Sequence, residues 1–363
     1  MNPRFMTPAT RVLIWLCIAG AVAGLYRLFW GLGAATNLSD AHPWGIWVAF
    51  DLMCGVALAA GGYAMSAAYY IFGMKKYKPI VRPAVLTAML GYLIAGIGIT
   101  LDVGKPWALW KSIVYGQPHS VMFEVAVCIT TYLTVLVLEF APVAAEGLRW
   151  EKTLKVLTAA TYPLVILGIV LSFMHQSSLG ALFLLMKGRL NELWYSPILP
   201  QIFFLSSVAV GIATVSFESI LTARSLHREP EHEILRGLAK GGQIALALYF
   251  FVRIGDLIWR GKLGLAFAFD LPSGLFLLEM VVGVLIPIAL FAMGRSFWAS
   301  LLTMAGVVVN RFDVNFFSQA GARTGYFPAL GEILISLGLV SFLVLAFRYL
   351  VFRLPVVEPA GRA

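Results

Sequence analysis

Acidic side chains occur inside stretches of this chain that are otherwise apolar. Asp51, Glu124, Glu218, Asp256 and Glu279 all lie among hydrophobic residues. A carboxylate near the centre of a bilayer costs about 2.5–3.5 kcal/mol on insertion scales, so an acid in such a place is by default a functional candidate. The chemistry open to such groups is the uptake and release of protons.

Glu124 begins a polar stripe along its own predicted helix. At 100° per residue, Cys128, Thr131 and Glu139 fall on the same face as Glu124. The segment from Glu124 to Glu139 would carry this stripe about 22 Å inward. A comparable stripe on another predicted helix comprises Ser207, Gly211, Thr214, Glu218 and Thr222. Together they predict a proton path carried by Glu124, Glu139 and Glu218; the alternative is hydrogen bonding between helices, which is common for Ser and Thr in membranes.

The histidines point to a second kind of chemistry. His42, His119 and His175 lie at predicted outer helix ends, where an imidazole that titrates near neutrality could hydrogen-bond a quinone carbonyl and exchange protons with it. His227 and His232 lie in a predicted cytoplasmic loop. No buried pair is therefore expected for the axial ligation of a haem. The residues that we expect at a quinone site are His42, Trp44, Asp51, Asp102, His119, Glu124 and His175.

Cysteines and paired charges add little to the predicted chemistry. Cys17, Cys54 and Cys128 lie in predicted helices without C-x-x-C spacing, so we expect no disulfide, no iron–sulfur cluster and no metal site in this chain. Arg253 precedes Asp256 by three residues, which puts both on one helical face and predicts an ion pair. That pair could be structural or functional.

Long apolar segments must position these side chains. Of the 363 residues, 60% are hydrophobic and 12% are charged, whereas about a quarter are charged in soluble proteins. A helix needs about 20 apolar residues to cross a bilayer. The ten predicted crossings lie near 12–32, 44–72, 83–102, 119–141, 153–174, 198–223, 241–259, 273–293, 296–310 and 329–352. We therefore expect an all-α integral membrane protein.

A faint repeat divides these helices into two sets. Asp102 and Glu124 are 22 residues apart, and Asp256 and Glu279 are 23 apart in a similar context. This spacing favours two parallel four-helix bundles, a plan also used by transporters, although few positions match and chance is the alternative. The predicted organisation is one membrane domain over 1–363, with bundles at 42–175 and 197–310 and a last helix at 329–352.

The distribution of basic residues predicts how the chain is oriented. The net charge is +9, and with the N-terminus inside, the inner ends and loops carry 17 Lys and Arg residues against 9 at the outer ends. This bias favours two cytoplasmic termini and argues against nucleic-acid binding. The first apolar stretch is longer than a signal-peptide core, so we expect an uncleaved helix in contact with lipid.

Clustered motifs resemble a known family of membrane subunits. The segments that carry the likeness are Pro43-Trp44-Gly45-Ile46-Trp47-Val48-Ala49-Phe50-Asp51, Gly61-Gly62, Val81-Arg82-Pro83-Ala84, Leu101-Asp102-Val103-Gly104, Ser120 to Cys128, Leu138 to Pro142, Met174 to Gly180 and Phe327-Pro328, with Glu332 beyond. They resemble the NrfD/polysulfide reductase membrane-subunit family, above all the HybB-type subunits of periplasmic nickel–iron hydrogenases. The likeness covers nearly the whole chain.

This resemblance implies a haem-free subunit, without a redox centre of its own, in a quinone oxidoreductase complex of the bacterial inner membrane. It would pass electrons between a periplasmic ferredoxin-like iron–sulfur subunit, bound to hydrogenase large and small subunits, and menaquinone or ubiquinone. Glu124 matches the acidic position that the family uses for proton transfer.

The segment 310–315 departs from the hydrogenase pattern and leaves the partner enzyme open. A complex acting on sulfur compounds or containing a molybdopterin enzyme is the alternative. A secondary transporter and a purely structural anchor are the rivals from other classes.

Overall fold

Ten long helices make up most of the molecule. The structure is a computed structural model that describes residues 6–39, 42, 44–185, 188, 190–225, 229, 231–317 and 326–357. The helices are α1 Pro8–Trp30, α2 Trp47–Ile71, α3 Lys75–Asp102, α4 Val121–Gly147, α5 Glu151–Leu184, α6 Leu199–Ser225, α7 His232–Trp259, α8 Leu271–Ala292, α9 Ser296–Phe312 and α10 Leu330–Arg353. Short helical turns at Leu32–Ala35, Pro106–Ala108, Trp110–Val114 and Leu263–Phe267 lie in the connections. No strand occurs in these described ranges.

The prediction of an all-α, multi-pass membrane protein is confirmed. Within the described ranges, nine of the ten helices are long and apolar enough to cross a bilayer. The exception is α9. It has 17 residues and continues into a π-helical turn, Asp313–Phe317. We call the end of the molecule where α1 and α3 finish and α4 begins the outer end, and the opposite end the inner end.

The predicted helix boundaries differ most from the structure at the end of the fifth stretch. The fifth stretch was expected to end near residue 174, but α5 runs on to Leu184. The polar run that follows Met174 breaks the apolar pattern in the sequence, yet His175, Gln176 and Ser178 are all buried in the structure. Contacts with neighbouring helices accommodate these side chains, so the helix does not stop where the hydropathy falls.

The helices pack mainly against their neighbours in sequence. α2 lies against α3, α3 against α4 and α4 against α5, while α6 packs with α7 and α9, and α8 with α9. α6 also contacts α2 and α5. The first and last helices pack on each other, and α10 reaches α3. The division into bundles at 42–175 and 197–310 stays a prediction.

π-helical turns interrupt two of the spanning helices. α2 contains Trp47–Cys54 and Ala67–Ile71, and α8 contains Val281–Leu285. Such turns arise where side chains are re-aimed, and they are frequent at functional sites. The first one carries Asp51, which is buried.

Candidate functional site at the outer end

A cavity of about 760 Å³ lies at the outer end between α3 and α4. The turn Trp110–Val114 covers it, and Trp44 and Leu182 close its back. Its lining is mostly apolar. Most of its polar side chains lie near the outer loop, namely Thr100, Asp102, Ser112, Gln117 and Ser120, and two more, Thr130 and Thr134, lie deeper along α4. Ile97, Ile113 and Met122 also line it and are 36–53% exposed on the lateral surface. The cavity is therefore accessible from the side that would face lipid.

Two of the predicted quinone-site residues line this cavity, namely Trp44 and Asp102. The Trp44 ring stands edge-on to Phe183, with 5.7 Å between centroids, which fixes its plane. Asp102 is the last residue of α3, and its Oδ1 atom is buried without a hydrogen-bond partner. These two residues supply an aromatic wall and a carboxyl group at one cavity.

His119 and Glu124 are not among the residues that line the cavity. His119 is exposed just ahead of α4. Glu124 lies in the first turn of α4 between the lining residues Phe123 and Val125 and is turned towards α5, where Ser178 Oγ donates a hydrogen bond to Glu124 Oε1. Glu124 therefore lies behind the cavity wall. It was predicted at the quinone site itself, and its two neighbours in sequence line the cavity instead.

His175 is buried inside α5, nine residues before the helix ends, and not at an outer helix end as predicted. Neither ring nitrogen has a hydrogen-bond partner. The ring lies 5.5 Å from that of Tyr92, which in turn stands edge-on to Tyr132 at 4.5 Å. The prediction missed both tyrosines, because an aromatic residue in an apolar helix has the same pattern as ordinary core.

The two remaining predicted proton carriers accept hydrogen bonds from hydroxyl groups. Ser66 Oγ donates to Glu139 Oε1 at 2.8 Å, and Thr87 Oγ1 donates to Glu218 Oε2 at 2.7 Å. Glu139 also lines an inner-end cavity of about 460 Å³. That cavity contains the half-exposed Arg82–Glu146 ion pair, at 2.9 Å. The inner end therefore offers Glu139 a polar surrounding.

Asp51 faces α10 and His42 faces the segment just ahead of α10, and neither lines the cavity. Ser336 Oγ donates to Asp51 Oδ2 at 2.6 Å, and the His42 ring stacks on Tyr326 at 5.8 Å. Tyr326 in turn donates to Glu332 at 2.7 Å. Burial and this carboxylate raise the pKa of Tyr326. Tyr326 and Ser336 were missed, because nothing in the sequence shows that the last helix returns to the start of α2.

A second buried polar cluster lies among α6–α9. Glu279 accepts hydrogen bonds from Trp194 at 3.1 Å, Tyr249 at 2.7 Å and Asn310 at 2.9 Å. The Arg311 guanidinium lies 3.7 Å from the Phe203 ring centroid. The space beside Glu279 is about 10 Å³, enough for one water at most. The surroundings of Glu279 are therefore closely packed, unlike the open cavity between α3 and α4.

The predicted Arg253–Asp256 ion pair is wrong. Within the described ranges, Asp256 pairs with Arg260, one turn further on, at 2.7 Å, and also accepts from Ser196. Arg253 instead donates to the carbonyl of Leu193 at 2.9 Å. Spacings of three and four residues both place side chains on one face, so spacing alone could not choose the partner.

No metal centre is found in the part of the chain that the structure describes: no three or more His, Cys, Asp or Glu side chains are grouped to hold an ion. Cys17, Cys54 and Cys128 are free thiols. The predicted loop residue His227 and the motif residue Pro43 lie outside the described residues.

Known proteins are similar to this chain over almost its entire length. A Nitratidesulfovibrio vulgaris protein with no functional name is 40% identical over 98% of this chain and 96% of its own. The "Probable Ni/Fe-hydrogenase 2 b-type cytochrome subunit" of Escherichia coli is 35% identical over 92% of this chain and 88% of its own. The "Menaquinone reductase, integral membrane subunit" of N. vulgaris is 26% identical over 94% and 92%.

The expectation of a haem-free subunit is contradicted by one of these relatives. The E. coli protein is named a b-type cytochrome subunit, and b-type cytochromes are haem proteins. His175 would be the residue to hold a haem here, since its buried ring nitrogens have no partner. Among the described histidines, however, His42, His119 and His232 all lie at helix ends or in connections, away from His175, so a bis-histidine site does not fit and we derive no step through a haem.

The family description "Polysulphide reductase, NrfD" matches residues 34–320, which include the cavity, the buried His175 and the cluster around Glu279. Together with a relative that is 35% identical across most of its length, this match is decisive. The chain belongs to the NrfD/polysulfide reductase family of integral membrane subunits.

Proposed function

We propose that this chain is the quinone-reactive membrane subunit of an oxidoreductase complex, and that the outer cavity is its quinone site. The observation that carries the proposal is the cavity itself, which measures about 760 Å³, is mostly apolar and laterally accessible, and has most of its polar side chains near the outer loop. Ligand pockets in proteins typically measure about 300–1,000 Å³ and combine apolar walls with a few polar groups.

The cavity suits an amphiphile with a planar ring and a long tail. Trp44, Trp110 and Phe123 give aromatic surface for the ring. The tail would leave between Ile97 and Met122, which are partly exposed on the surface that would face lipid. A quinone head group in this position has its carbonyls near Asp102 and the hydroxyl groups of the outer loop.

Proton transfer accompanies quinone reduction or quinol oxidation, and half-buried carboxyl groups extend inward from the cavity wall. Glu124 is joined to Ser178, which lies one turn from His175 on α5. Glu139 and Glu218 lie further towards the inner end, each held by one hydroxyl group. We assign Glu124, Glu139 and Glu218 to proton movement between the quinone and the inner side.

The electron donor or acceptor would bind at the outer face, above the cavity. Trp107 and Trp110 are 69% and 53% exposed there, next to the exposed Lys105 and Lys111. An iron–sulfur subunit with an acidic face would suit this basic, aromatic surface. The hydrogenase name of the E. coli relative favours a nickel–iron hydrogenase as the enzyme that exchanges electrons with this iron–sulfur subunit. The menaquinone reductase name of the N. vulgaris relative favours menaquinone as the quinone.

Quinone binding to the purified full-length chain in lipid nanodiscs tests this proposal. A fluorescent menaquinone analogue should bind to the wild type, and Trp44→Ala and Asp102→Asn should each weaken binding by about tenfold, equal to ~1.4 kcal/mol. Trp107→Ala is the matched control, because Trp107 is exposed on the same outer loop and does not line the cavity. Binding that is absent in the wild type, or unchanged in both cavity variants, would favour the transporter or anchor alternatives.

A further inference from the structure

Arg27 is a buried guanidinium on a helix that otherwise faces outward. Residues buried in α1 are Thr10, Gly20, Gly24 and Arg27, and the Arg27 side chain is only 1% exposed. Most large side chains of α1 are exposed on the surface that would meet lipid, including Trp15 and Phe29 at 70% and 78%. Burying an arginine in a membrane segment costs free energy unless its N–H donors are satisfied. The hydrogen-bond partners of Arg27 therefore indicate its role.

Both hydrogen bonds of Arg27 go to the outer end of α3. Its Nε donates to the carbonyl of Leu101 and its Nη2 to that of Val103, each at 2.6 Å. The last carbonyls of a helix have no partner within the helix, and a positive charge is favourable there. The last turn of α3 contains no basic residue of its own, so α1 supplies the charge.

Asp102 lies between the two residues whose carbonyls Arg27 holds. Its carboxylate attracts the guanidinium, yet the two groups do not come within ion-pair distance among the described contacts. Arg27 therefore restrains the backbone on both sides of Asp102 and leaves the carboxyl group free to face the cavity. A direct salt bridge would have withdrawn that carboxyl group from a ligand.

We propose that Arg27 is a positioning residue for the quinone site: its guanidinium fixes the outer end of α3 so that the Asp102 carboxyl group stays in the cavity wall. This inference rests on the proposed function. It links the outer helix α1 to a cavity that α1 does not line.

The packing of α1 supports a role beyond holding that helix in place. α1 is already fixed to α10 by close backbone contact at Gly20 and Gly338. At the inner end, Arg348 Nη1 donates to Thr10 Oγ1 at 2.6 Å. Arg348 and Arg27 thus both tie α1 to a neighbour through a guanidinium, and only Arg27 acts beside the cavity. Arg348→Gln is therefore a matched control.

The experiment measures binding of a menaquinone analogue to the full-length chain in nanodiscs between about pH 5 and pH 9. We expect Arg27→Gln to weaken binding by about tenfold and to move the midpoint of the binding-versus-pH curve to higher pH, because a nearby positive charge that favours the carboxylate is lost. Arg27→Lys keeps the positive charge but cannot donate two hydrogen bonds from a planar group, so it should weaken binding by less than Arg27→Gln does. Arg348→Gln should leave both binding and the pH midpoint unchanged.

A double-variant comparison separates this inference from the proposed function. In the Asp102→Asn background, Arg27→Gln should change binding by less than about twofold, because the group that it positions is gone. Equal losses in Arg27→Gln and Arg348→Gln, or an undiminished effect of Arg27→Gln in the Asp102→Asn background, would overturn the positioning role while leaving the quinone site standing. Failure of the wild type to bind the analogue would instead overturn the site itself.

Discussion

Single residues decide how the first half of the molecule could handle a proton. Glu124 is half-buried in the first turn of α4 and takes a hydrogen bond from Ser178 on α5. A hydrogen bond to a carboxyl group holds it in one orientation. Ser178 therefore fixes the direction in which the Glu124 carboxyl group points.

The matching prediction concerns Ser178→Ala. Loss of this donor leaves the Glu124 carboxyl group free to change its orientation, so quinone-coupled turnover of the assembled complex should fall about two- to twelvefold, corresponding to the ~0.5–1.5 kcal/mol of a single hydrogen bond. Turnover is measured with the partner enzyme's electron donor and a soluble quinone. Ser177→Ala removes the neighbouring hydroxyl on α5 and should keep the wild-type rate; a loss of similar size in both variants would show a general effect on the helix.

Glu124 and Glu279, which occupy matching positions in the predicted repeat, have different surroundings. Glu124 has one described hydrogen-bond donor, whereas Glu279 has three, from Trp194, Tyr249 and Asn310. A carboxyl group held by several hydrogen-bond donors is fixed in position. Glu279 therefore helps to hold the helices of the second half together, whereas Ser178 is the one described donor to Glu124.

Helix pairs set the frame in which these residues act. α1 and α10 come from opposite ends of the chain and meet where an added Cβ at Gly20 would lie 2.7 Å from the Cα of Gly338. Small residues permit this close backbone approach in membranes. The pair then supplies Arg27 to the end of α3 and Ser336 to Asp51.

We predict that Gly20→Ala separates this helix pair. The new methyl group meets backbone, which cannot move aside as a flexible side chain does, so stability should fall by about 1–3 kcal/mol. Thermal unfolding of the purified protein in detergent measures the loss. Gly255→Ala in α7 is the control, since a Cβ there meets nothing within 4 Å. Equal melting temperatures for the two variants would mean that the α1–α10 contact contributes nothing to stability.

The whole molecule has a predicted orientation that can be tested directly. Both termini should be cytoplasmic because basic residues accumulate on that side. A membrane-impermeant maleimide should label Lys111→Cys in intact spheroplasts, and should label Lys76→Cys only after the membrane is permeabilised. Both lysines are exposed. The native Cys54 and Cys128 are buried, and the half-buried Cys17 is replaced by Ser in both variants. The reverse labelling pattern would invert the topology and move the cavity to the cytoplasmic side.

The sequence determined the class of protein, the helices and their approximate bounds. Hydropathy over about 20 residues depends on local composition alone, because every spanning backbone must satisfy its own hydrogen bonds as a helix. Clustered motifs also identified the family correctly. Trp44 and Asp102 were placed at the right end of the molecule for the same local reason: they lie near the ends of apolar segments.

Only the tertiary structure decided which side chains meet. His175 was expected at a helix end and is buried beside Tyr92. Asp51 faces α10 and His42 faces the segment just ahead of it, and neither lines the cavity. Arg27 looked like one more basic residue at an outer helix end, yet its donors reach carbonyls 74 and 76 residues away in sequence. Helical phase tells which residues share a face, but which face meets which neighbour depends on how all ten helices pack together, and no local pattern records that packing.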